Sequence, residues 1–151
     1  MNEYKYIHIP GARIYLACIE NDNNDFLIYS SVRHGSFYAN KKLWCEKLVS
    51  ALSIELENRG AIIDSSAEKR LSFIIPEIIG RSGQSTVGFN VKVIVSSSDS
   101  WRKTYEGKAG AYHGFIGLGT GARAANYAIS ELIKAMLADD AFILQISGNS
   151  K

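Results

Sequence analysis

The sequence predicts an α+β fold: a mostly antiparallel β-sheet with two long α-helices packed on one face. Three observations carry that expectation. Residues 44–60 place apolar side chains at helical spacing and stop at a glycine. A second helix-patterned stretch, roughly 122–138, is rich in alanine. Between them lie strand-like runs, clearest where Phe89, Val91, Val93 and Val95 alternate with Asn90, Lys92 and Ser96.

Taken in order, 4–9 and 12–19 read as strands broken by the turn signal Pro10-Gly11, with Ile14, Leu16 and Cys18 on one face of the second. Residues 20–25 read as a solvated loop, 26–32 as a weaker strand and 34–40 as irregular. Asn40 suits the N-cap of the first helix. On that helix Cys45, Leu48, Val49, Leu52 and Leu56 share an arc opposite Glu46, Lys47, Ser50 and Glu57, which leaves Ile54 exposed. Gly60 is placed for a left-handed C-terminal cap, and 61–64 begin a short strand at once. A strand over 70–79 contains Pro76, which cannot donate to a ladder and marks an edge or a bulge. After a polar glycine-rich loop, 89–95 and 101–105 pair as a hairpin through the serine-rich turn at 97–100, the returning run extending over 101–107. The second helix presents Ala124, Ala125, Ala128, Leu132, Ala135 and Met136 on one face, small enough for close approach to the sheet. Asp139 and Asp140 end it, and 141–146 fit either a last strand or a short helix.

At 151 residues the chain is expected to be a single α+β domain spanning 1–151. Seventeen basic and fifteen acidic residues are dispersed without a basic block, so nucleic-acid binding has no electrostatic footprint and neither has a charged membrane anchor. No apolar run reaches the length of a membrane span. The opening MNEYKYIHIP lacks a basic start, an apolar core and a cleavage site. Read literally this places the chain in the cytoplasm, and a targeting segment outside this sequence is the other reading.

Chemistry-bearing motifs are sparse. Cys18 and Cys45 lack a nearby histidine and a C-x-x-C spacing, so they do not form a metal site and are expected to be two buried free thiols, with a disulfide the alternative if the protein is exported. Gly117, Gly119 and Ala122 satisfy a relaxed dinucleotide fingerprint. The following Asp139 sits before the next strand rather than after it, and too little chain remains for a nucleotide-binding half. Glu20, Asp22 and Asn24 start like a calcium loop, but Asp25 and Ser31 stand where glycine and glutamate are needed. His8, His34 and His113 are each isolated, and no nucleophile elbow surrounds Ser82 or Ser85. These absences lead to the expectation of a non-enzyme with no cofactor, no metal and no nucleic-acid partner. One apolar cluster stands out: Phe115, Ile116 and Leu118 lie among glycines, either closing the core at a sheet edge or forming an interface for a protein partner or a second copy.

Several loose motifs run in a recognisable order: 12–19 followed by a polar turn; Trp44, Leu48, Leu52, Leu56, Arg59 and Gly60; Ala67 with Leu71, Ser72 and Phe73; 91–95 followed by WRKTYEG at 101–107; and Ala124, Ala128, Leu132, Met136, Leu137 and Asp139. Over roughly 12–146 this resembles the YajG-like group of small Gram-negative envelope lipoproteins. The resemblance implies an α+β sandwich exported across the inner membrane and tethered by a lipidated N-terminal cysteine. Neither Cys18 nor Cys45 follows a lipobox, so a membrane anchor would lie outside this sequence. The expectation is a non-catalytic periplasmic protein acting through protein–protein contacts. A carrier holding a small ligand in a cleft between sheet and helices is the alternative, and a soluble cytoplasmic enzyme the third reading.

Overall fold

The computed structural model describes residues 8–31, 35–82, 86–112 and 120–148. Its strands are β1 (Arg13–Cys18), β2 (Asp25–Ser31), β3 (Gly35–Asn40), β4 (Ile62–Ile63), β5 (Arg70–Ser82), β6 (Thr86–Ser97) and β7 (Arg102–Tyr112). The helices are α1 (Lys41–Asn58), α2 (Thr120–Leu137) and α3 (Asp140–Ser147). Five strands form one sheet in the order β4-β1-β5-β6-β7, and β2 with β3 forms a separate two-stranded sheet. The main sheet is mixed. β5, β6 and β7 are antiparallel as expected, but β1 runs parallel to both its neighbours, β4 and β5.

Helix α1 forms where the sequence places it. Asn40 Oδ1 accepts from the Leu43 amide at 3.1 Å, satisfying one of the amides that a helix start leaves without an internal partner. The helix closes in a Schellman motif, with Gly60 N donating to Glu57 O and Ala61 N to Leu56 O, both at 3.0 Å. Gly60 has φ +97°, a conformation that strains any residue with a Cβ. The turn at Pro10 and Gly11 docks there through Ile9 N to Arg59 O and Gly11 N to Gly60 O. Leu48, Leu52 and Leu56 are fully buried and Ile54 is 57% exposed, so the apolar arc lies on the sheet as predicted.

Pro76 sits at a bulge rather than an edge. The β5–β6 register jumps from Ile74 opposite Ile94 to Glu77 opposite Lys92, leaving Ile75 and Pro76 facing Val93 alone. Phe73 O accepts from Ile19 N, so this side of β5 faces β1; beyond the end of β1, Ile75 N donates instead to Glu20 Oε2 at 3.1 Å, while Pro76 O accepts from Lys41 Nζ at 3.1 Å.

The predicted hairpin is β6–β7, continuous from Thr86 opposite Tyr112 to Ser96 opposite Arg102. Val87, Phe89, Val91, Val93 and Val95 are buried under the helices. Alanines let α2 come close, as expected, and Gly107 on β7 completes the approach: a Cβ there would lie 2.8 Å from Leu132 Cγ. The 141–146 segment is helix α3. Asp139 is its N-cap, accepting from Ala141 N at 3.1 Å, so the residue that ends α2 also starts α3.

Residues 35–40, expected to be irregular, are strand β3 paired with β2. Tyr29 and Phe37 stack at 5.7 Å, Phe37 meets Phe89 edge-on at 5.1 Å, and Trp44 lies 5.3 Å from the same ring. This aromatic cluster, rather than backbone hydrogen bonding, fastens the small sheet to the large one. The strand expected over 4–9 lies mostly outside the described residues, and Ile9 is buried beside the end of α1.

Candidate functional site

Cys18, at the end of β1, and Cys45, at the start of the second turn of α1, form a disulfide with Cα atoms 5.9 Å apart. The thiols were expected to be free, and 27 positions separate them in the chain. The fold removes that distance: α1 crosses the face of β1 that carries Ile14, Leu16 and Cys18, and Cys45 faces down with Leu48. Cys45 is fully buried and Trp44 beside it is nearly so. With both cysteines paired, no thiolate is offered as a nucleophile or a metal ligand.

A buried polar network continues from the disulfide. Glu20, expected in a solvated loop, is only 8% exposed, and its other oxygen accepts from Asp22 N at 3.1 Å. Asn40 is 6% exposed and donates through Nδ2 to Asn23 O at 2.8 Å and Asp25 Oδ1 at 3.1 Å. Lys42 N donates to Asp22 O at 3.1 Å. Of the residues that resemble a calcium loop, Glu20 spends both oxygens on backbone amides, and Asp22 Oδ1 accepts from Asn24 N at 3.1 Å. Among the described residues no group of three or more acidic, histidine or cysteine side chains could hold a metal ion. Burial of Glu20 carries no signal in an isolated polar run; it follows from the end of β1, beyond which the Ile75 amide of β5 needs another acceptor.

A second hub joins β7 to α3. Asp139 Oδ2 accepts from Lys103 Nζ at 2.6 Å and from Tyr105 Oη at 2.5 Å. Burial acts to raise the Asp139 pKa, but the Lys103 and Tyr105 bonds, the Ala141 amide and the Lys103 charge outweigh it and hold the carboxyl below its ordinary range. Burial, reinforced by the Asp139 carboxylate, pushes the Tyr105 hydroxyl far above an ordinary phenol. Such a tyrosine keeps its proton and ties β7 to the start of α3.

Phe115, Ile116 and Leu118, the predicted interface, lie outside the described residues, as do Gly117, Gly119, His34 and His113. Within them, Leu27 and Tyr38 face each other across the small hairpin, 52% and 59% exposed. A sheet–helix cleft of about 240 Å³ is lined by Lys69, Arg70, Asp99 and Gln145. An open groove along the outer side of β7 is lined by Glu106, Lys108, Glu131, Lys134 and Ala135.

No family model matches the chain, and no curated protein does. Several solved structures are similar to it. Protein XCC0632 from Xanthomonas campestris, a DUF330 protein, superposes with a TM-score of 0.57 at 9% identity over 97% of this chain and 90% of that one. The hypothetical protein CT253 from Chlamydia trachomatis gives 0.50 at 8% identity over 92% and 96%. A minor lipoprotein from Acinetobacter baumannii gives 0.44 at 12% identity over 91% and 92%. The chain thus has the α+β architecture of the DUF330 protein across nearly its whole described length. At these identities the likeness defines a fold and leaves the role unassigned.

Proposed function

We propose that this chain is a non-catalytic protein of the bacterial cell envelope that acts by protein–protein contact, in the manner of a small YajG-like lipoprotein. The Cys18–Cys45 disulfide, buried at Cys45 and partly buried at Cys18, carries this reading. Structural disulfides persist in oxidising compartments such as the periplasm and are rare where thiols are kept reduced. The fold shared with the DUF330 protein is consistent with it. So are the polar clusters around Glu20 and Asp139, each of which is spent on holding elements together.

Rapid acid quenching of cells that express the gene at its natural level, followed by alkylation with a mass-tagged maleimide, tests the location. The expected result is no tag at Cys18 or Cys45 until a reductant is added. Two tags on freshly quenched protein would place it in a reducing compartment and end the envelope reading.

A further inference from the structure

The two edges of the main sheet are unlike. At one, β4 has only two residues, too short to template another strand. At the other, β7 runs for eleven residues with one side paired to β6, and no strand covers its outer side among the described residues. Long open edges are usually blunted by charge, and β7 carries charge in a particular order. On its solvent face lie Arg102, Thr104, Glu106, Lys108 and Gly110, and its midpoint is Gly107.

That order is self-complementary. If two β7 strands pair antiparallel about a two-fold axis at Gly107, all eleven residues find partners, Arg102 opposite Tyr112 at each end. In the same register each Glu106 faces the other copy's Lys108. Moving the axis to Glu106 or to Lys108 sets like charges opposite each other on the axis and shortens the overlap. The longest pairing and the best charge match therefore coincide. Within one chain Lys108 Nζ and Glu106 are 3.5 Å apart and both are exposed, so these side chains can exchange partners without burying an unpaired charge. Gly107 adds no side chain at the axis. On the helix side of the groove, Glu131 and Lys134 form a second opposite pair 3.0 Å apart. Tyr127, half exposed, lies one turn before Glu131 on the same stripe of α2.

We infer that the outer edge of β7 is a self-association surface, at which a second copy of this chain adds its own β7 to make a continuous ten-stranded sheet across a two-fold axis. This deepens the protein-contact reading and rests on it. Failure of the dimer would leave the disulfide and the envelope location untouched, since those are tested in cells by thiol state.

Sedimentation equilibrium of the purified chain, with E106K and K108E made separately, tests the inference. The wild type is expected to dimerise, and each single variant to weaken the dimer about tenfold or more, because two attractive cross-strand pairs become repulsive. An equimolar mixture of E106K with K108E should recover a one-to-one heterodimer, since every pair across the axis is again matched within a copy-to-copy set of like-charged strands facing oppositely charged ones. A purely internal effect of either substitution would show no such recovery. An assay on the unaltered chain stands beside this: carbodiimide coupling of mixed light and heavy protein should yield Glu106–Lys108 peptides joining one isotope to the other. A wild type that stays monomeric at all concentrations overturns the inference, as would an E106K dimer of wild-type strength, a mixture without recovery, or only same-isotope cross-links.

Discussion

On one side of β5 the molecule is parallel: β4 and β1 run beside it beneath α1, and the chain must cross the sheet twice to build this half. On the other side it is an antiparallel meander, β5-β6-β7, with α2 laid over it. The two halves hold their helices differently. The parallel half uses a row of leucines and a disulfide, with the Glu20 network fastening the loop between β1 and β2. The antiparallel half uses close approach at Gly107 and the Asp139 hub. Contacts distant in sequence cost more chain entropy to close than a hairpin does, and the covalent link sits where that cost falls.

The sharpest test of the parallel half is Leu52→Ala on α1. Leu52 is fully buried, and truncation leaves a cavity between helix and sheet. A loss of about 2–5 kcal/mol is expected, read as a lower urea midpoint at unchanged slope. An unchanged midpoint would show that α1 does not rest on β1 and β5.

Replacing Cys18 and Cys45 together by serine should cost about 3.5 kcal/mol, by the loop-entropy argument for a 27-residue separation. The comparison also sets where the loss falls. Amide exchange should quicken first in β1, β4 and α1, while β6 and β7 keep their protection. Uniform loss across all five strands would mean that the two halves unfold as one unit.

Gly107→Ala probes the other half. The added carbon would press on the Ala128 carbonyl and on Leu132, and backbone cannot swing aside as a side-chain tip can. About 1–3 kcal/mol of destabilisation is expected in thermal melts. A neutral result would mean that α2 rides higher over β7.

Asp139→Asn should have the smallest effect and the most characteristic pH dependence. The native carboxyl is held below its ordinary range, so the stability it contributes is present above the unfolded carboxylate's pKa, about 3.9, and is lost as pH falls through the lower folded value. The variant should be less stable by about 1 kcal/mol at neutral pH. The gap should close in acid, where the native carboxyl is protonated too. A gap that is constant with pH would show that the carboxylate charge is not what Lys103 and Tyr105 hold.

The antiparallel half is legible in the sequence because its signals are local. Alternation from Phe89 to Val95 selects a half-buried strand, the short turn after it forces antiparallel return, and alanines at helical spacing announce a closely packed helix. The helical arc of Leu48, Leu52 and Leu56, the Asn40 cap and the Gly60 stop are legible for the same reason. What tertiary structure decided depends on residues far apart in the chain. Strand β3 forms because Phe37 finds Tyr29 and Phe89, which no short run of residues can announce. Glu20 is buried because β1 ends at Cys18 and leaves the Ile75 amide of β5 to find another acceptor. Cys18 and Cys45 look like free apolar thiols in sequence and become a disulfide only when α1 lies across β1. Periodicity along the chain fixes which face of each element is apolar, whereas pairing between elements depends on which faces the chain brings within reach of one another.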